Sequence, residues 1–294
     1  MVRFGASTGR VLLSGARGAM PIRIDVRLAV NDARTAQLNG SVLSSAEQLR
    51  AELHTLVFTP DRLAVVKGGP ATRRAYVDRV VGRLLPARSQ LPVNYAAAIG
   101  QRNAALRRAA IGASSLDAVS PWTDAVVELG DALVEARLEA LALLSTPLER
   151  CADCLGLAAL ATVYEGDSPS KADMAARLDR DLQRGVTGLG AHLHEIRIES
   201  DGRELRAFGS QGEQRAGVLA LVLAEAEVLA ERDGVAPLVL LDDVLSELDG
   251  TRRESLAKMI SDGGQTLVTA TSAAALPANP SQLLLVEPGT VRTG

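Results

Sequence analysis

Two aspartates, Asp242 and Asp243, interrupt the apolar run of residues 237–249, PLVLLDDVLSELD. Adjacent carboxylates at the end of a buried strand suit a magnesium site: one holds the cation, usually through water, and the other orients or deprotonates an attacking water. Asp242 is the candidate Mg²⁺ ligand, with Asp243 able to share it, and Asp243 is the candidate catalytic residue. An aspartate pair capping a turn is the competing explanation, and the pair alone does not separate the two. Upstream, Ser210 and Gly212 lie in FGSQGEQR, at the head of a long helical pattern. Ser and Gly at a helix N-terminus leave backbone N–H groups and the positive dipole end for an anion. An ordinary serine cap with Glu213 in the first turn is the plainer alternative. The ordered set is less expected by chance than either part: Ser/Gly helix opening, long helix, strand ending in Asp-Asp, then SELD at 246–249. A nucleotide site of this kind also needs a glycine-rich loop carrying a lysine, and no Gly-x4-Gly-Lys-Ser/Thr occurs in the 294 residues. Lysine stands only at Lys67, Lys171 and Lys258, and Lys67 sits in KGGP, the wrong way round for a phosphate loop.

The elements that must position these groups follow from periodicity. Residues 22–30, IRIDVRLAV, alternate apolar and polar, which predicts a strand with one buried face. Residues 11–14 and 36–38 read as its neighbours, with turns at Asn31-Asp32 and Asn39-Gly40. Ser45 to Gln48 has capping-box spacing and opens a short helix, and residues 55–58 read as a buried strand. An antiparallel meander thus leads into an α/β core. Residues 71–184 carry helical spacing, with breaks expected at Pro86, Pro92, Ser120-Pro121, Thr146-Pro147 and the 166–169 stretch. Strands return at 195–199 and 204–208 around the turn at 200–203. A helix over 212–232, the strand 237–241, a helix over 251–260, the strand 266–270 and a hairpin at Pro288-Gly289 complete the chain.

Composition sets limits. A hydrophobic share of 47% and a charged share of 23% describe a folded chain, and a net charge of −3 excludes a uniformly basic nucleic-acid binder but not a local basic patch. Arg73, Arg74, Arg102, Arg107 and Arg108 cluster in the helical region and are the candidate DNA-phosphate contacts. Solvated helix faces and ion pairs are the alternative for each. The single CxxC, Cys151 to Cys154, has no second ligand pair and falls in a helical stretch, so both read as small helix residues. No hydrophobic signal core or membrane-length apolar run is present, which predicts a cytoplasmic protein with no membrane partner.

Residues 60–78, PDRLAVVKGGPATRRAYVD, resemble the hallmark of the RecF family of recombination-mediator ATPases, as do Gln101-Arg102-Asn103 and residues 241–256. The resemblance implies an α/β fold: an ABC-ATPase-type, P-loop NTPase-like head of the SMC/RecF kind, N-terminally truncated, with an inserted helical domain. It divides the chain into residues 1–70 (first part of the head), 71–187 (helical arm) and 188–294 (second part of the head). It makes Ser210, Gln211, Gly212, Glu213 and Gln214 the signature, which touches ATP in trans. It makes residues 238–243 the Walker B strand, and Ser246 and Asp249 part of the D-loop. Family members bind ATP with Mg²⁺, are weak DNA-dependent ATPases, dimerise on ATP, and bind DNA at gaps and single-strand/double-strand junctions. With RecO and RecR they help load RecA and act in the SOS response.

The departures matter equally. In the family a strand, a lysine loop and a helix precede an RFGA-like segment, which here stands at residues 3–6, so this chain alone is expected not to hydrolyse ATP. The usual GPHRDD is GAHLHE at 190–195, Glu213 replaces a glutamine, and Thr269-Ala270-Thr271-Ser272 lacks a following aspartate. Three accounts stand open: a misplaced start or fragment of a complete protein, an ATP-independent DNA-binding or interaction relative, and a decaying, poorly folding product.

Overall fold

The computed structural model describes residues 2–44, 48–49, 52–245, 248–261, 264–272 and 280–294. Ser45 of the expected capping box and Ser246 of the expected D-loop lie outside the described residues. The chain opens on an antiparallel meander of β1 (Thr8–Arg17), β2 (Met20–Ala29), β3 (Thr35–Leu38) and β4 (Ser41–Leu43). Its last turn uses Asn39 and Gly40, both at positive φ (49° and 89°), the conformation a two-residue hairpin loop requires. β1 is longer than its four-residue apolar signal because flanking Gly9, Arg10, Gly15 and Arg17 dilute that signal while still pairing with β2.

β5 (Thr55–Phe58) then enters a parallel sheet ordered β10-β9-β5. α1 (Ala64–Lys67), α2 (Pro70–Leu84), α3 (Leu91–Ala110) and α4 (Ser120–Cys154) follow. Pro70, Pro92 and Pro121 occupy first-turn positions, where a missing N–H costs nothing. The break expected at Thr146-Pro147 does not occur: α4 runs 35 residues with Pro147 inside it. A helix-interior proline costs about 3 kcal/mol. Leu144, Leu148, Cys151 and Ala152 flank it, all buried in the main core, and burying one such leucine recovers about 1.5–3 kcal/mol.

A strand missed by periodicity comes next, β6 (Ala161–Glu165), inside the stretch expected to be helical. It pairs with β7 (Glu195–Ser200), which pairs with β8 (Arg203–Glu204). α5 (Lys171–Ala176) and α6 (Leu178–Arg184) lie between β6 and β7. The strand expected over 204–208 becomes, after Glu204, a short helix, α7 (Leu205–Phe208). α8 (Gln211–Asp233), β9 (Leu238–Asp242), α9 (Gly250–Ser261) and β10 (Thr266–Thr269) build the far side, and β11 (Leu284–Glu287) with β12 (Thr290–Thr293) forms the final hairpin.

One hydrophobic core joins β5, β9, α2, α4 and α8; a second, around Tyr95, Val126, Leu133 and Met174, holds α3 to α4. α8 is buried on nearly every face over 214–225, as a helix sandwiched between layers must be. β10 forms one edge of the parallel sheet, with Leu267 51% exposed. Among the described residues no helix is long and apolar enough to cross a membrane.

Candidate functional site

The strand end is built by three parallel strands in register. Phe58 pairs with Leu241 and Thr269 with Asp242, so the carboxylate emerges at the carboxyl edge of the sheet, where open α/β folds bind ligands. The Thr269 hydroxyl donates to Asp242 Oδ1 at 2.5 Å and accepts the Asp243 N–H at 3.1 Å. Asp242 is exposed. Asp243 adopts φ 48°, a left-handed backbone that aspartate tolerates better than most residues. Arg215 of α8, only 4% exposed, donates to the Asp243 carbonyl at 3.0 Å. The helix that opens on Ser210 is therefore anchored directly to the turn that follows Asp242.

Ser210 is the N-cap of α8. Its hydroxyl accepts the Glu213 N–H at 3.2 Å, and the Glu213 carboxylate accepts the Ser210 N–H at 2.7 Å, a complete capping box. These bonds hold the Glu213 carboxyl below the usual range. Its negative charge thus already occupies the helix end where an anion would sit. Gln214 is turned inward, its amide donating to the carbonyls of Leu205, Arg206 and Gly209. Gln211 and Gly212 open the helix at the surface. A Cβ on Gly212 would stand 3.3 Å from Arg252 Nη1. Asp249 caps α9 by accepting the Arg252 N–H at 2.9 Å, and Arg252 Nε donates to the Leu155 carbonyl at the end of α4. Motif spacing assigns no role to Arg215 or Arg252. Their signal was position: one turn into the helix for Arg215, and three residues after Asp249 for Arg252.

The described residues fit only part of a Mg-nucleotide site. They supply a helix N-terminus, an exposed carboxylate and two threonine bonds at the strand end. Against this, Glu213 opposes a bound phosphate, and no group of three or more His, Cys, Asp or Glu among the described residues could hold a metal. Lys67 is exposed in the last turn of the four-residue α1, and Lys171 pairs with Asp124 in the helical region.

The hallmark arginines divide. Arg73, 2% exposed, donates to Glu195 at 2.8 Å and to the Gly68 carbonyl at 2.6 Å. A Cβ on Gly68 would stand 2.4 Å from the Ala64 carbonyl, so the close approach in KGGP requires glycine. Arg102 is fully buried on Asp181, Thr187 and Thr123. The expected DNA role is therefore corrected for Arg73 and Arg102: neither guanidinium reaches solvent. Arg74 is half-buried, donating to the His194 carbonyl, and Arg107 and Arg108 are exposed. Cys151 is buried, its thiol pushed up to about 11 by burial, and Cys154 is exposed; both are free and helical.

The GAHLHE segment is committed internally. His192 Nε2 donates to the Thr187 carbonyl at 3.1 Å while Nδ1 accepts the Tyr95 hydroxyl at 2.9 Å. His194 repeats the pattern with the Asp167 carbonyl and the Tyr164 hydroxyl. Burial lowers both pKa values, which favours the neutral rings. His54 is lowered too, because burial outweighs Asp233 at 2.8 Å. With all three depressed, the unfolded chain binds more protons as pH falls below about 6.5, the unperturbed histidine value. Stability is then expected to be fully present above that pH and to decline below it. Urea midpoints measured from pH 7.5 to 5 check this, and the decline should flatten in a His192→Gln/His194→Gln variant.

This architecture, with a parallel sheet ending in Asp-Asp and tied to a serine-capped helix, defines an α/β, P-loop NTPase-like head of the kind found in SMC and RecF proteins. The chain superposes on the structure of the recombination mediator protein RecF with ATP, in the RecFOR pathway, with a TM-score of 0.84 at 23% identity, covering 99% of this chain and 81% of that one. An Smc head from Pyrococcus yayanosii matches at a TM-score of 0.54 and 13% identity, covering 98% and 82%. No family model matches the sequence. The DNA replication and repair protein RecF of Myxococcus xanthus is 33% identical over 295 residues, covering 92% of this chain and 75% of its own length. That of Acidothermus cellulolyticus is 33% identical over 280 residues, covering 89% and 74%. The chain belongs to the RecF family of DNA replication and repair proteins.

Proposed function

We propose that the chain works in recombinational repair by binding DNA at gaps and single-strand/double-strand junctions, in a pathway with RecR, RecO and RecA that feeds the SOS response in the cytoplasm. Residues 71–187 would form its helical arm between the two parts of the head. The observation that carries the head assignment is the Arg215 bond to the Asp243 carbonyl, which makes the signature helix and the acidic strand end one unit. Paired with a head that carries a lysine loop, Ser210, Gln211 and Gly212 would face the nucleotide phosphates held there. Asp242, Asp243 and Asp249 would line the cis side, with Glu213 and Gln214 fixing the helix opening. Competition binding tests the DNA role: a labelled gapped duplex should be displaced by unlabelled gapped duplex at lower concentration than by blunt duplex. Equal displacement by both would remove the junction preference.

A second reading, an ATP-independent DNA-binding relative, is favoured by Glu213. Its carboxylate on the Ser210 N–H repels phosphate, and nothing in the 294 residues matches a lysine loop. We infer that DNA binding by these residues does not require nucleotide.

A further inference from the structure

We propose that the polar face of the β1–β4 sheet is a docking surface for the phosphate backbone of duplex DNA. This rests on the reading of the chain as a DNA-acting protein and goes beyond it, because none of the arginines first considered for DNA lies here.

Charge is distributed unevenly along the chain. Residues 1–44 hold six arginines (Arg3, Arg10, Arg17, Arg23, Arg27 and Arg34) against two aspartates, Asp25 and Asp32, within a protein of net charge −3. The sheet register collects part of this surplus on one side. Arg10 lies directly opposite Arg27 and Ser14 opposite Arg23, so all three guanidinium groups leave from the same face. Leu13, Ile24 and Val26 point to the other face. Arg10 and Arg27 keep half or more of their side chains exposed, at 50% and 59%.

Asp25 organises the face. It lies between Arg23 and Arg27 on β2, is nearly buried, and takes two bonds from Arg10, 3.0 Å from Nε and 2.6 Å from Nη2. Arg10 is thereby fixed through Nε and Nη2, and Nη1 takes no part in the pair. Arg27 approaches Asp25 only at 3.5 Å, and Arg23 is exposed. Asp25 thus pairs with two of the three arginines, Arg10 and Arg27, leaving the face with a surplus of positive charge. Two shallow hollows of about 650 and 560 Å³ border it; Arg10 and Arg27 line both, and Asp32 lines the larger.

Charge complementarity selects the occupant. Duplex DNA presents one negative charge per about 1.7 Å of axis, and Arg23 and Arg27, four residues apart on one strand, span about 13 Å. No aromatic residue lies in β1–β4, so the face offers backbone contacts and no stacking platform for unpaired bases. Such contacts position DNA without reading its sequence.

The test is fluorescence anisotropy of a labelled duplex against salt, for the 294-residue chain and two double variants. Arg23→Gln/Arg27→Gln removes groups that contribute almost nothing to the fold, so its thermal melt should match the parent. It should lose about tenfold or more in affinity at low salt and shallow the log–log salt slope by about 2, near one unit per phosphate contact. Arg107→Gln/Arg108→Gln should bind like the parent. If the second variant loses the slope and the first does not, the sheet face is wrong and the DNA reading survives. If the parent binds no duplex, both fail. Capture of polyglutamate in place of duplex would make the face a site for acidic protein and overturn the proposal.

Discussion

Replacing Arg102 with alanine is expected to destabilise the chain by about 3–5 kcal/mol, the cost of breaking a buried ion pair from one side. Arg102 is 0% exposed and its partner Asp181 1%. The guanidinium donates at 2.8 Å to Asp181, at 2.9 Å to the Thr187 hydroxyl and at 3.0 Å to Thr123, so one side chain joins α3, α6, the 187–192 loop and the start of α4. Neighbouring Asn103 accepts both the N–H and the hydroxyl of Thr187 at 2.7 Å, which ties the same loop to α3. Alanine would strand the Asp181 carboxylate without its main counter-charge. Urea unfolding followed by circular dichroism measures the loss. Replacing both partners together, Arg102→Met with Asp181→Leu, should recover much of it, because an apolar pair leaves no buried charge unpaired. Arg108→Ala, at an exposed position nearly two turns further along α3, should stay within about 0.5 kcal/mol of the parent. A loss of under 1 kcal/mol for Arg102→Ala would show that the arm does not close on this pair.

Phe58→Ala should cost about 3–5 kcal/mol, as large-to-small changes at fully buried aromatic positions do. Phe58 is 0% exposed, ends β5 and pairs with Leu241, the residue before Asp242. Its ring belongs to the core cluster that packs β5 and β9 against the helices. The cavity would open directly beneath the strand end, so local order should fall together with global stability. Amide exchange at Leu241 is the sensitive readout: it should accelerate more than exchange at Leu133, which lies in the second core. Equal acceleration at the two would mean that the strand end does not depend on Phe58.

Much of this molecule was legible in the sequence where one signal dominated. The alternation in IRIDVRLAV located β2, and the hidden cost was Asp25: a polar alternate that packs against Arg10 instead of staying fully solvated. Asn39-Gly40 marked the β3–β4 turn because few other pairs accept two positive φ values. β6 was missed because five residues give too short a period, although Thr162, Val163 and Tyr164 are the residue types strands favour. Pro147 misled because local cost was weighed without the burial of Leu144 and Leu148, which only the tertiary structure supplies. The strand-end aspartates and the serine cap were legible as a set. The arginine cluster was not, since spacing along a helix shows which residues share a face and leaves open whether that face is covered. Arg73 and Arg102 face inward, while Arg107 and Arg108 face water.

We propose that these residues, a head of the RecF type, bind DNA without nucleotide, since a signature helix and an acidic strand end stand here with no lysine loop among the 294 residues. The most direct test is the titration of a labelled gapped duplex with the 294-residue chain, with and without ATP–Mg²⁺. Salt-sensitive binding with one common curve in both conditions is the predicted result. Tightening by about tenfold with ATP–Mg²⁺, equivalent to about 1.4 kcal/mol, would contradict the claim, as would the absence of any binding.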